Sequence, residues 1–206
     1  LTPNQWYKDC DSAYTCWPPF VRATDYGRSR ATQYKDPICL IHNINGWGYR
    51  DLVPSIRDLG VRCYGRGSPD GLIENSTIAS RLSKALAMVH LKSNDAPGYA
   101  IYEAMAAGCP LIVSRRLIWR CKMQDLLMPN ETCLVFDRET HDPLSEEDVK
   151  RCTEEIAEHL EFLSNYENNT ALGMAANQRF NHLTWSKDSE IDTTSLSKFM
   201  SKHFSD

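Results

Sequence analysis

The sequence predicts an α/β fold, a Rossmann-like doubly wound parallel sheet. Two observations carry that expectation. Short runs that are apolar at every position recur along the chain, as in Ile38-Cys39-Leu40-Ile41 and Leu111-Ile112-Val113. Such runs suit strands buried on both faces. Segments with helical spacing separate them, and strands alternating with helices build βαβ units around a parallel sheet.

Each element follows from its own residues. Residues 1–36 read as irregular, with Trp17-Pro18-Pro19-Phe20 and then a polar stretch from Thr24 to Asp36. The folded domain is expected over 37–206. Ile38 to Ile41 forms the first strand, after Asp36-Pro37. Asn43 to Gly48 is a loop. Asp51 to Ile56 has helical spacing, with Pro54 near the helix start and Gly60 at its end. Val61-Arg62-Cys63-Tyr64 is the second strand, stopped by Gly65-Arg66-Gly67. Asn75 or Ser76 is placed to cap a helix over Thr77 to Ala85. Leu86 to Leu91 is the third strand. The loop Asn94 to Gly98 leads into a helix over Tyr99 to Ala107, closed by Gly108 and Pro110. Leu111 to Val113 and Cys133 to Phe136 are the fourth and fifth strands. Ser145-Glu146-Glu147-Asp148 reads as a capping box with acids at the positive end of the dipole. It opens a long helix whose apolar stripe is Val149, Ile156, Leu160 and Leu163. A last helix runs from Asn169 to Leu183.

Right-handed crossovers turn this order into an open sheet. Ligands of such sheets bind beyond the carboxyl ends of the strands. Four loops are therefore expected to meet at one crevice: His42 to Gly48, Gly65 to Gly71, Ser93 to Gly98, and Ser114 to Arg116.

Composition narrows the function. At 206 residues the chain is one large domain or two small ones. Hydrophobic residues make up 42% and charged residues 24%, the balance of an ordinary soluble globular protein. A net charge of -4 argues against a nucleic-acid or membrane-surface binder that works through bulk positive charge. No run approaches the roughly 18 apolar residues of a transmembrane segment. Eight cysteines are present, but no Cys-x-x-Cys recurs, so no metal site is expected. Cys39, Cys63 and Cys133 sit in apolar runs, where a reduced thiol behaves as a small hydrophobe. Sequons at Asn75, Asn130 and Asn168 carry no weight in an intracellular chain, and Leu1-Thr2-Pro3 opens no signal peptide. The expected location is cytoplasmic.

The most informative segment runs from Ser93 to Pro110: Ser-Asn-Asp-Ala-Pro-Gly-Tyr-Ala-Ile-Tyr-Glu-Ala-Met-Ala-Ala-Gly-Cys-Pro. It joins a strand end, a glycine loop and a helix N-terminus. Free N–H groups at Gly98, Tyr99 and Ala100, with the helix dipole, make a seat for a phosphate. Glu103, about one turn in, would repel that phosphate but suits vicinal ribose hydroxyls. Asp95 on the loop faces a second sugar. The pair predicts a nucleotide that carries another polyol. Plainer readings compete. Glu103 alone is an acid in a helix first turn, and Asp95 a loop or capping aspartate. Arg50 and Arg66 read equally as solvated loop residues or phosphate ligands, and Arg115-Arg116 with Arg120 reads first as a solvated face and second as an anion site. His42, at a strand end facing the crevice, is a candidate for nucleotide-sugar binding and reads also as a half-buried structural histidine; His90 reads as core. Trp47 suits base stacking or packing alike.

This segment resembles the signature of GT-B type retaining glycosyltransferases, most closely family four, in which two acids eight positions apart precede Ala-Met-Ala-x-Gly-x-Pro. Asp95 and Glu103 have that spacing. The likeness extends to Asp36–Ile41 as a first strand, Val61–Gly67 as a second strand with its glycine loop, and Asp125–Asp137 as a later strand. It also takes in Ala171–Phe180 with Thr184-Trp185 as a C-terminal helix, and Pro18-Pro19-Phe20 as an interdomain linker. The resemblance implies one half of a GT-B fold: a C-terminal domain that binds a nucleotide-sugar donor. Residues 1–36 would then lead in from an N-terminal acceptor domain. It implies ribose binding by Glu103, donor-sugar contact by Asp95, diphosphate contact by Gly98, Tyr99 and Ala100, and base contact by Gly65, Arg66 and Gly67. Neither metal nor cofactor is implied, because basic groups and a helix dipole stabilise the leaving diphosphate. The donor would be UDP- or GDP-linked and the acceptor a glycan or other hydroxyl.

Three departures stand against the family pattern. Asp95 replaces a glutamate. The usual Gly-Arg and Lys after the first strand are replaced by His42-Asn43-Ile44-Asn45-Gly46-Trp47-Gly48-Tyr49-Arg50, which leaves Arg50 and Arg66 as substitutes. The acceptor half is missing. Two alternatives to a retaining hexosyltransferase therefore stay open: a nucleotide-binding module with a degenerate phosphate loop, and a sugar-nucleotide epimerase of the same architecture.

Overall fold

Five apolar runs pair side by side into one parallel sheet. The computed structural model describes residues 34–43, 50–92, 99–121, 123–138 and 143–185. The strands are β1 (Ile38–Asn43), β2 (Arg62–Arg66), β3 (Met88–His90), β4 (Leu111–Ser114) and β5 (Leu134–Phe136). The helices are α1 (Leu52–Asp58), α2 (Asn75–Leu82), α3 (Tyr99–Ala106), α4 (Arg115–Arg120), α5 (Glu146–Ser164) and α6 (Tyr166–Trp185). The strand order is β2-β1-β3-β4-β5, every pair parallel. The order reverses between β1 and β3, which is the switch point where such sheets bind ligands.

Alternation along each strand divides the core into two layers. Leu111 and Val113 face one layer, with Ile78 and Leu82 of α2, Ile101 and Met105 of α3, and Phe180 of α6. Ile112 faces the other, with Leu52 and Ile56 of α1 and Ile156, Leu160 and Leu163 of α5. Because both faces are covered, the strands carry no polar alternation. The sequence shows the same thing as unbroken apolar runs.

Several boundaries differ from expectation, each for a local reason. The second strand starts at Arg62 and continues through Gly65 and Arg66, which were expected to end it. Ile41 pairs with Gly65 and Asn43 with Arg66, so His42 is an extra residue in β1, a bulge beside the switch point. Gly65 has φ +146°, and a Cβ there would lie 1.6 Å from the Ile41 carbonyl oxygen. Only glycine fits that approach. Helix α2 starts at Asn75, so neither Asn75 nor Ser76 is its cap. Glu74 takes that place without a side-chain bond, and the Thr77 hydroxyl donates to the Glu74 carbonyl at 2.9 Å. The helix stops at Leu82 because the next residues turn to backbone pairing. Lys35 N–H donates to Lys84 O, and Leu86 N–H to Lys35 O, both at 2.7 Å. Tyr34 also stacks on Tyr166, with centroids 5.6 Å apart. The folded unit therefore includes 34–36, ahead of the boundary expected at 37.

The long helix α5 keeps its expected start. Ser145 Oγ accepts from Asp148 N–H at 3.1 Å. Helix α6 begins at Tyr166 instead of Asn169, because Asn165 Oδ1 accepts from the N–H groups of Glu167 (2.9 Å) and Asn168 (3.1 Å). Helix α4 was not expected at all. Six residues with two buried positions, Leu117 and Ile118, show too little periodicity to read.

The outer edge of β2 is covered by the chain itself. Cys63 N–H donates to Asp70 Oδ2 at 2.7 Å, Asp70 N–H to Cys63 O at 3.2 Å, and Gly65 N–H to Gly71 O at 2.8 Å. Arg57 and Arg62 lie 3.6 Å from the Asp70 carboxylate. The six described cysteines are all buried free thiols.

Candidate functional site

The strand order puts the expected crevice beyond the carboxyl ends of β1 and β3. Helix α3 starts there, at Tyr99, after the chain leaves β3 through Leu91 and Lys92. Its first amides have no partner within the helix, so they and the dipole favour an anion. Tyr99 is exposed and Ala100 partly buried. Glu103 sits partly buried one turn in, on the helix whose inner face carries Ile101, Ala104 and Met105. Gly108, at φ +65°, closes α3.

Gly65, Arg66 and Gly67 lie at the same pole, at the end of β2, with β1 between them and β3. Gly65 has a packing reason for its identity in the approach to Ile41. Arg66 and Arg50 are both exposed. Asp95 and Gly98, and Trp47 with the rest of the loop 44–49, lie outside the described residues, as does the side chain of His42. The structure therefore brings the α3 amides, Glu103 and the end of β2 to one pole.

The basic group after β4 is committed in part to the fold. Arg115 Nε lies 2.7 Å from Asp137 Oδ1, an exposed pair. His90 is core, as expected, at 3% exposure. Burial, and then the Lys92 charge, push its pKa down to about 3, so the ring is neutral. Its Nε2 and the Ser114 hydroxyl have no hydrogen-bond partner among the described residues.

Two residues that sequence reasoning missed hold this region. Arg138, just past β5, is buried at 6% exposure and donates from Nη1 to the Leu91 carbonyl at 2.8 Å. Asn177 on α6 donates from Nδ2 to Met105 O (3.2 Å) and Ala106 O (2.7 Å), the last carbonyls of α3. Asn181 Nδ2 donates to Asn177 Oδ1 at 3.0 Å and so orients that amide. A charged residue after an apolar run gave no sign that it would be buried. Asn177 stood in a recognised helix but with no sign of its partner.

Among the described residues no three His, Cys, Asp or Glu side chains gather as metal ligands, and no helix is long and apolar enough to cross a membrane. A surface cavity of about 300 Å³ lies at the opposite pole, beside the turn into β5, lined by Met128, Glu131, Thr132, Arg179 and His182 among others. It takes no part in the crevice.

A family model described as "Glycosyl transferase-like" matches residues 48–188. No curated protein matches the sequence. Solved structures do match. The sucrose-phosphate synthase of Thermosynechococcus elongatus is 14% identical with TM-score 0.65, over 97% of this chain and 57% of its own. A mutant of S. aureus TarM, in complex with Fondaparinux, alpha-GlcNAc-glycerol and UDP, is 14% identical with TM-score 0.62, over 91% of this chain and 40% of its own. The C-terminal domain of a glycosyl transferase group 1 family protein (LpcC) from Francisella tularensis is 11% identical with TM-score 0.51, over 83% of this chain and 96% of its own. The chain thus spans about half the length of the two longer structures, and nearly all of the isolated C-terminal domain. Its fold is that of the C-terminal, Rossmann-like half of a GT-B glycosyltransferase.

Proposed function

The chain belongs to the glycosyl transferase-like family, and on that premise we propose that it is the donor-binding half of a retaining glycosyltransferase. The observation that carries the reading is helix α3: it opens at the switch point of the sheet and holds Glu103 one turn from its first amides. A nucleoside diphosphate sugar fits that arrangement. The diphosphate meets the amides of Tyr99 and Ala100 and the positive end of the dipole. The ribose hydroxyls donate to Glu103, and the base lies towards Gly65, Arg66 and Gly67. Asp95 contacts the sugar to be transferred. As the glycosidic bond to the diphosphate breaks, negative charge grows on the leaving group, where fixed N–H donors stabilise it without reorganisation. A hexose passes to a glycan or other hydroxyl held by a second domain, whose closure excludes water.

The segment from His42 to Arg50 lacks the family's Gly-Arg and Lys, which favours a second reading, a module that binds nucleotide and transfers nothing. Calorimetric titration with UDP, GDP and their common sugar conjugates, with and without a chelator, separates the two. Binding of one nucleotide, tightened by one sugar and indifferent to chelation, supports the donor domain. Tight nucleotide binding that no sugar improves supports the module. Loss of binding with the chelator contradicts the metal-free reading.

A further inference from the structure

We propose that Arg138 is a positioning residue of the donor site: its buried guanidinium anchors the carboxyl end of β3, from which the chain departs towards α3. The inference rests on the donor reading above. Arg138 lies two residues past the end of β5, and β4 stands between β5 and β3. Neighbouring strands lie about 4.8 Å apart, so the side chain bridges a gap of roughly two strand spacings, across the end of β4. It finishes in a buried bond of 2.8 Å from Nη1 to the carbonyl oxygen of Leu91.

The footing of this bridge is itself fixed. Asp137, its neighbour in the chain, is held three ways. Its carboxylate meets Arg115 at 2.7 Å, its N–H donates to Glu155 Oε2 at 2.7 Å, and its carbonyl accepts from the Cys152 thiol at 3.3 Å. Helix α5 and the start of α4 thus set the base from which Arg138 reaches. Charge-assisted bonds are shorter and stronger than neutral ones, and the planar guanidinium loses little freedom in making them. Such a bond matters for function where the carbonyl being held sets the geometry of a site.

Leu91 is such a point. Lys92 follows it, and residues 93–98 alone separate Lys92 from Tyr99, the first residue of α3. The far end of α3 is tied independently, by Asn177 to Met105 and Ala106. The far end of the helix that carries Glu103 is thus tied by Asn177, and the strand end from which the chain runs on to its near end is tied by Arg138. On this proposal, loss of the Arg138 bond loosens the strand end that leads to α3, while Asn177 keeps the far end of the helix in place.

Two measurements on the whole 206-residue chain test this, with Arg138→Met and Arg138→Lys beside the wild type. The first is hydrogen exchange read by mass spectrometry. The second is calorimetric titration of UDP and GDP at a temperature where each variant keeps its native circular dichroism. We expect the α3 amides of Arg138→Met to exchange at least ten-fold faster with β4 unchanged, and nucleotide Kd to rise at least ten-fold. Arg138→Lys should fall between. A purely structural role would lower Tm and leave the Kd of the folded protein unchanged, and that result overturns the proposal. So does wild-type exchange in α3. Should Arg138→Met fail to fold, Arg138→Lys decides: a three-fold rise in Kd supports the role and an unchanged Kd overturns it. If the wild type binds neither nucleotide at millimolar concentration, the donor reading itself has failed and the positioning role falls with it. A change in α3 exchange would still show that the anchor is real.

Discussion

Gly65 and Ile41 touch backbone to backbone: a Cβ on Gly65 would lie 1.6 Å from the Ile41 carbonyl oxygen. The contact sits where β1 carries its extra residue, His42, and where β2 takes φ +146°. Alanine at 65 must push the two strands apart at the mouth of the crevice. We expect Gly65→Ala to cost at least about 3 kcal/mol, in the upper part of the range for point substitutions. Urea unfolding measures it, and a loss under about 1 kcal/mol would mean that the strands relax without strain.

Glu103→Ala should weaken nucleotide binding by roughly 1.5–3 kcal/mol, the range for hydrogen bonds to a charged group. The fold should survive, because Glu103 is only partly buried and the buried face of α3 is Ile101, Ala104 and Met105. Calorimetry with the nucleotide alone is the check. An unchanged affinity removes the ribose role.

Asp95→Ala should behave differently. If Asp95 contacts the donor sugar, its loss weakens the sugar nucleotide more than the free nucleotide. Parallel titrations with both ligands decide the matter, and equal losses count against a sugar contact.

His90 makes stability depend on pH in a predictable direction. Its pKa is about 3 in the fold and near 6.5 when exposed. Above pH 6.5 neither state takes the proton and there is no penalty. Between 6.5 and 3 the unfolded chain binds a proton that the folded chain refuses, so stability falls as pH falls. Over the span from pH 6.5 to 4 this amounts to about 3 kcal/mol at most, at 1.36 kcal/mol for each pH unit. His90→Gln should remove that part of the slope. Urea titrations of both proteins across this span provide the comparison, and identical slopes would assign the acid sensitivity to other groups.

Ser145→Ala removes the side chain that accepts the Asp148 N–H at 3.1 Å. A loss of about 1 kcal/mol is expected. Ser145→Asp, which restores an acceptor, should recover most of it. Thermal unfolding of the two variants tests the cap, and equal melting temperatures would show that Asp148 and its neighbours suffice without it.

The parts of this fold visible in the sequence were those set by local chemistry. Ile38 to Ile41 and Leu111 to Val113 had to be strands buried on both faces, and Ser145 with Asp148 had to open a helix. The segment around Glu103 was legible for the same reason, since a strand end, a glycine and a helix start stand together in the chain. What escaped was set by contacts between distant residues. Helix α2 stops early because Lys35 pairs with Ala85, some fifty positions away. Arg138 and Asn177 act on Leu91, Met105 and Ala106, and no spacing along the chain announces such bonds. Gly65 showed only that a turn was near. The reason for its identity, the carbonyl of Ile41, appears once the two strands are paired.

The loop that folds back on β2 also limits how these molecules meet one another. With Cys63 and Gly65 already bonded to Asp70 and Gly71, that margin offers few free backbone groups to a strand from outside. A second copy, or a stray unfolded chain, cannot lengthen the sheet there without first displacing the loop. Association by strand addition is thereby opposed at the β2 margin of the sheet.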